Sequence, residues 1–227
     1  LEVLPQDELF FRFQIVGAKT NSEGKTDIEE TIKLTDKDGK TLLDKSRPIA
    51  RQVLLGGDEL TSYVFISINP KAAPGDYNLK VTLKDKIAGE TTSFEKKIVC
   101  KPTTFAVLAP RFYPDAEAKV PGPVGGLVNE TVHFKLYCVG FDKKDKQVRV
   151  LMSLQVVDDQ GKEILPKPIE VKGYIPKADE AEKAIKLTFD GSLILTRPGD
   201  FKLRITLEDQ QGKQTAKFET PLKVVAP

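Results

Sequence analysis

The sequence predicts an all-β protein: two tandem antiparallel β-sandwich domains related by an internal repeat. Three observations carry this. One phrase is written twice, "APGDYNLKVTLKD" at 73–85 and "RPGDFKLRITLED" at 197–209. Apolar residues recur at every second position, the period of a half-buried strand. Glycine-bearing turn signals separate these runs.

The repeat extends beyond the phrase, and it is sought first because it fixes architecture. "KLTDKDGKTLL" (33–43) resembles "QVVDDQGKEIL" (155–165), and "FRFQIVG" (11–17) resembles "FKLYCVG" (134–140). The matched segments keep their order at a nearly constant spacing of 122 to 124 residues. Lys101-Pro102-Thr103 suits a short extended connection, so the expected domains are 1–101 and 102–227. Their starts are unequal. Residues 103–129 precede "ETVHFKLYCVG" in the second copy, whereas only Leu1 to Asp7 precede "ELFFRFQIVG" in the first. The first domain is therefore expected to lack a leading segment, as if cut from a longer parent.

Strand assignment follows parity. Phe201, Leu203, Ile205 and Leu207 share one face, with Lys202, Arg204 and Thr206 on the other. Tyr77, Leu79, Val81 and Leu83 repeat this against Asn78, Lys80 and Thr82. One apolar and one polar face belong to an antiparallel sheet with a wet outer side. The same alternation runs through Phe11, Phe13 and Ile15, through Val132, Phe134, Leu136 and Cys138, and through Val150, Met152, Leu154 and Val156. "DKDGK" (36–40) and "DQGK" (159–162) place glycine where a hairpin loop needs positive φ. "KADEAEKAIK" (177–186) is the single helical candidate, one or two turns long. The segment 113–130, with three Pro and three Gly after Tyr113, reads as an irregular sheet-to-sheet crossing.

The repeated phrase supplies a turn and corner signature: Gly75, Asp76 and Tyr77, matched by Gly199, Asp200 and Phe201. Proline fixes φ ahead of each pair, glycine permits positive φ, and aspartate bonds nearby backbone N–H groups. The aromatic stands where a tyrosine corner would, and there a hydroxyl bonds backbone. Phe201 has no hydroxyl and must rely on ring burial.

Composition narrows the function classes. The 227 residues are 40% hydrophobic and 30% charged, with a net charge of +2 and interleaved signs. No basic block is present to track a phosphate backbone, so nucleic acid is not an expected partner. No apolar run approaches the roughly 20 residues that cross a bilayer. The first residue is Leu, so the lack of a signal segment says nothing about export.

Catalytic chemistry finds no constellation. His133 is the lone histidine, and no nucleophile, zinc, phosphate-loop or dinucleotide spacing is present. By parity it lies on the outer face. No catalytic residue, cofactor or metal site is expected. The turn acids Asp36, Asp38, Asp158 and Asp159 read as turn caps, with a calcium loop as the alternative. Cys100 aligns with Val224 and Cys138 with Ile15, which marks both thiols as free, buried small hydrophobes. Carbohydrate platforms favour exposed Trp or Tyr; the chain has no Trp and five Tyr, of which Tyr63, Tyr113 and Tyr174 fall in segments of weak period. Phe10 and Val16, with Tyr137 and Val139 in the second copy, take the outward parity of their strands. Phe10, Val16, His133 and Tyr137 thus form a candidate interaction surface; the alternative is that the core face of these strands is the other one.

The P-G-D-[YF]-x-L-x-[VI]-T-L-x-D phrase, a short turn and a closing strand resemble the end of immunoglobulin-like and fibronectin-III-like bacterial modules. From "AKVPGPVGG" through "VGFDKKDK", "VVDDQGKEIL" and "RPGDFKLRITLED" the second half is similar to uncharacterised tandem-sandwich proteins of planctomycete-type bacteria. The resemblance implies an exported or envelope-associated protein and transfers no catalytic residue. The expected function is a non-enzymatic, extracytoplasmic structural or protein-interaction module that spaces or presents surfaces. The alternative is a carbohydrate- or peptide-binding module of a larger envelope protein, with a protein or a cell-wall glycan as partner.

Overall fold

The computed structural model describes residues 1–53 and 56–227. The chain is all-β and forms two compact units, Leu1–Pro102 and Thr103–Pro227. Each unit is a β-sandwich.

The first unit holds β1 (Glu2–Val3), β2 (Glu8–Ile15), β3 (Ile28–Asp36), β4 (Thr41–Ile49), β5 (Leu60–Ser67), β6 (Gly75–Asp85) and β7 (Thr91–Cys100). One sheet has the order β1-β7-β6-β3-β4, and the other consists of β2 and β5. The repeated phrase forms β6, flanked by β7 and β3. That central place explains why Leu79 and Val81 are fully buried. The short β1 runs parallel to β7, whereas the other ladders of this unit are antiparallel.

The second unit holds β8 (Ala106–Tyr113), β9 (Gly125–Leu127), β10 (Thr131–Val139), β11 (Val148–Asp158), β12 (Ile169–Ile175), α1 (Ala178–Lys183), β13 (Lys186–Ile194), β14 (Gly199–Asp209) and β15 (Gln214–Val225). Its five-stranded order, β9-β15-β14-β11-β12, follows the same path along the chain as that of the first unit. Again the leading short strand, β9, pairs parallel with the last. The facing sheet has three strands, β13-β10-β8. Among the described residues of the first unit, β8 has no counterpart.

The segment 113–130 is more regular than its Pro and Gly content predicts. Tyr113 closes β8 and Gly125–Leu127 is a strand. The helical candidate shortens to α1, which joins β12 to β13 and buries Ala181. In β11 the alternation holds through Val150, Met152 and Leu154, then slips so that Gln155 and Val157 are buried. The Gln155 amide donates to the Leu165 carbonyl (3.1 Å) and accepts from the Leu165 N–H (3.2 Å). A buried amide with these partners is satisfied, and it pins the loop between β11 and β12 against the sandwich.

The two interiors differ. In the second unit one continuous cluster runs from Phe105 and Phe112 through Leu136, Met152, Leu203, Ile205 and Leu207 to Val224. In the first unit the apolar interior is divided. Val3, Leu34, Val64, Leu79 and Ile98 belong to one cluster, and Ile15, Ile28, Ile49 and Leu83 to another. Glu30, fully buried on the inward face of β3, lies between them in sequence and register.

Candidate interaction surface

The outer face of the β2–β5 sheet is aromatic. Register sets Phe10 opposite Phe65 and Arg12 opposite Tyr63. Phe10 and Tyr63 stack with ring centroids 5.3 Å apart. Phe10, Tyr63 and Phe65 are 40%, 43% and 46% exposed, so three rings face solvent on two adjacent strands. Inward positions of the same strands, Leu9, Val64 and Ile66, are buried.

Tyr63 was expected in an irregular segment and lies instead within β5. Its strand was hard to read because an inward station holds Ser62, which hides the apolar period. Tyr174, also expected to be irregular, lies in β12 and is exposed. Tyr113, read with them as falling in a segment of weak period, closes β8 and is buried.

Behind the rings sits an ion pair. Arg47, on β4, donates its Nε–H to the Glu30 carboxylate and a terminal N–H to the Tyr63 carbonyl. Its guanidinium also lies 5.1 Å from the Tyr63 ring centroid. The Ser62 hydroxyl donates to Glu30 Oε1 at 3.4 Å. The hydrogen bond to Glu30, foremost, holds the Arg47 guanidinium above its already high ordinary pKa, against the opposing effect of burial. Arg47 thereby ties an edge strand of one sheet to the facing sheet. The matching stations of the second unit are Met152, Val171 and Phe189, all apolar.

Of the remaining sequence candidates, Val16 lies just past β2 and is 69% exposed. His133 and Tyr137 share the outer side of β10, where each is half-buried. His133 pairs across to Tyr113 and Ser192, and Tyr137 to Leu108 and Thr188. The Lys186 ammonium lies 4.1 Å from the Tyr137 ring centroid. Val139, given the same outward parity, is fully buried, paired in register with Ala106 of β8. The structure therefore groups Phe10 with Tyr63 and Phe65, and His133 with Tyr137.

The repeated signature is backbone architecture. Gly75 and Gly199 have φ of 147°, in the range that favours glycine. The Tyr77 hydroxyl donates to the Ala73 carbonyl at 2.5 Å. At the matching place Phe201 receives the Arg197 guanidinium, 5.3 Å from its ring centroid. Asp76 pairs across to Lys97 at 2.7 Å rather than capping its own turn, because the strand already begins at Gly75 and directs the side chain toward β7.

A second matched pair went unassigned in the sequence. Asp85 accepts N–H bonds from Lys19, Ile87 and Ala88. Asp209 accepts them from Asp142, Gln211 and Gly212. Each carboxylate joins its own hairpin to the loop that follows β2 or β10. Burial would raise the Asp85 carboxyl, but the amides of Lys19, Ala88 and Ile87 together outweigh it and hold it below the ordinary range. Asp36 and Asp158 cap their turns: Asp36 Oδ1 accepts from Asp38 and Lys40, and Asp158 Oδ1 from Gln160 and Lys162. Among the described residues no group of three or more His, Cys, Asp or Glu is placed to hold a metal ion.

Both cysteines are free and buried. Burial first, and then the Asp209 charge, pushes the Cys138 thiol up to about 12. Burial and the Asp7 charge raise Cys100 as well.

A cleft of about 670 Å³ opens between the sheets of the first unit, lined by Leu34, Leu43, Ile66, Tyr77 and Ile98 among others. The matching space in the second unit measures about 110 Å³ and is lined by Ile164 and Leu165. These are the residues of the loop that Gln155 pins. The shorter β3–β4 connection of the first unit, 37–40, carries no such pair.

No protein-family model matches the chain, and no curated protein matches it. Among solved structures it is similar to red sea bream transglutaminase, at 10% identity and a TM-score of 0.34, over 96% of this chain and 29% of that one. It is also similar to the C-terminal domain of the Streptococcus agalactiae AgI/II polypeptide BspA, at 10% identity and a TM-score of 0.32, over 98% of this chain and 94% of that one. The chain thus spans under a third of the transglutaminase's length. No helix among the described residues is long and apolar enough to cross a membrane.

Proposed function

We propose that the chain is a non-enzymatic structural and protein-interaction module of the extracytoplasmic space. Two domains, with their boundary at 101–102, would carry a contact surface on the first. The carrying observation is the set of three half-exposed rings, Phe10, Tyr63 and Phe65, on the outer face of β2 and β5. Exposed aromatic clusters of this kind supply most of the energy of protein contacts, because rigid rings bury large area at small entropic cost. Arg47 supports the surface from behind by fixing the Tyr63 backbone.

The test is partner retention by the immobilised chain, compared with a Phe10→Ser, Tyr63→Ser, Phe65→Ser variant of unchanged melting temperature. Loss of a saturable protein partner in the variant supports the reading. Undiminished retention would sink it. A second reading, peptide or small-ligand binding, is favoured by the cleft of about 670 Å³, a volume within the range of ligand sites. Retention of a cell-wall glycan or peptide, unaffected by the three serines and lost on filling the cleft with Leu43→Phe, would select it.

A further inference from the structure

The two five-stranded sheets end on unlike edge strands, β4 in the first unit and β12 in the second. The β4 edge is guarded. Register sets Lys45 opposite Ile32 and Arg47 opposite Glu30, so both cations stand on the inward face. Pro48 removes a backbone donor from the same strand. Inward charge and proline are common means of keeping an edge from pairing.

β12 carries neither. Its seven residues hold no proline, and its inward stations are Ile169, Val171, Gly173 and Ile175. Ile169 stands where the first unit has Lys45. It is 45% exposed, although it lies opposite the buried Leu154. At Gly173 a Cβ would meet the Phe189 ring at 2.7 Å, so that ring fills the place of a side chain. The outward stations Glu170 and Lys172 are exposed. Among the described residues neither has an ion-pair partner in its own chain.

We propose that the β12 edge pairs with the β12 edge of a second copy of this chain, antiparallel about a two-fold axis through Val171. The strand's own sequence selects this occupant and this register. Opposed residues must share a face, so the axis passes through a residue. At Val171 it sets Glu170 against the partner's Lys172, and Lys172 against the partner's Glu170. An axis through Glu170 or Lys172 would oppose like charges. One through Ile169 or Gly173 would leave Glu170 unpaired. The Val171 register also places the exposed Ile169 opposite the partner's Gly173, over its Phe189 ring. Main-chain bonds along the edge supply affinity, as in other strand additions. The contact closes on itself, because an isologous patch is used once. The other edge of this sheet, β9, is only three residues long. The proposed contact lies on the second unit and makes no use of Phe10, Tyr63 or Phe65.

The test is sedimentation equilibrium of the full chain from about 10 µM to about 1 mM, a range suited to a small, transient contact. The expected result is a monomer–dimer equilibrium that added salt weakens, because salt screens exposed charge pairs. Glu170→Lys alone and Lys172→Glu alone each oppose like charges twice, and each should raise the dissociation constant about tenfold or more. Mixed in equal amounts, one variant supplies only cations and the other only anions. A heterodimer should then form with an affinity near the parent's. Both stations are exposed, so the variants should melt with the parent, and a folding defect cannot imitate this pattern. Backbone hydrogen exchange should show protection at 169–173 that grows with concentration. A chain monomeric throughout the range, a dimer indifferent to both substitutions, or a mixture no tighter than its components would each overturn the proposal. Partner retention that depends on Phe10, Tyr63 and Phe65 is a separate outcome: the β12 dimer can fail while that reading stands.

Discussion

Glu30 and Met152 occupy the same station in the two sandwiches, each fully buried, one carrying a carboxylate and the other a thioether. Glu30 is held by Arg47, its cross-strand neighbour. Met152 has Val171 in that place. The polar version ties β4 to β5, and it divides an interior that the apolar version leaves continuous.

Removing one member of such a pair leaves a buried charge. Arg47→Ala should cost about 3 to 5 kcal/mol in urea unfolding. Replacing both with the second unit's residues, Glu30→Met with Arg47→Val, should fall within about 1 kcal/mol of the parent or above it. A double variant as unstable as the single one would show that the pair stabilises beyond its own desolvation cost.

Asp85 predicts an acid limb. Its folded carboxyl lies below the ordinary range, so the stability it contributes is complete above the unfolded carboxyl's pKa, about 3.9. That stability is lost as pH falls through the lower, folded value. Asp85→Asn should flatten this part of the stability–pH curve, because it lowers stability most at neutral pH and least at acid pH, where the parent has already lost the contribution. Asp209→Asn should cost about 1 to 3 kcal/mol at pH 7 by weakening charge-assisted bonds to three amides. An unchanged acid limb in Asp85→Asn would refute the assignment.

Tyr77 and Phe201 separate hydroxyl from ring. Tyr77→Phe should cost about 1 kcal/mol, one hydrogen bond. Phe201→Ala should cost about 3 kcal/mol, the low end for an aromatic truncation, because the ring is only partly buried. Equal melting shifts would contradict this division of roles.

The thiols give a probe of opening. Cys138, pushed up to about 12, and Cys100 should resist a thiol reagent at pH 8 in the folded chain and react at once in denaturant. Rapid native labelling of both would rule out the buried assignment.

Much of the fold was legible because alternation and a duplicated phrase are local signals. Leu79, Val81, Leu203 and Ile205 announce their strands by parity alone. Glu30 was not legible as a core residue: within "IEETIKL" it reads as a break in the apolar period, and only alignment with Met152 gives it a buried station. Tyr63 and Phe65 were missed as a pair because inward Ser62 disguised β5. Phe10 and Val16 were found by parity, whereas Val139 shares that parity and is buried. The place of β8 in its sheet, which has no counterpart among the described residues of the first unit, became visible only with register.

The parallel pairing of β1 with β7 has a mechanical side. The Val99 N–H donates to the Leu1 carbonyl and the Lys101 N–H to the Val3 carbonyl, both at 2.8 Å. β1 opens this unit and β7 closes it, pointing the same way. Tension drawn between residues 1 and 101 would slide one strand along the other and load these bonds together, whereas a hairpin pulled from its open end parts one bond at a time. Where such a sandwich separates two attachments, its resistance to load would begin at these few residues.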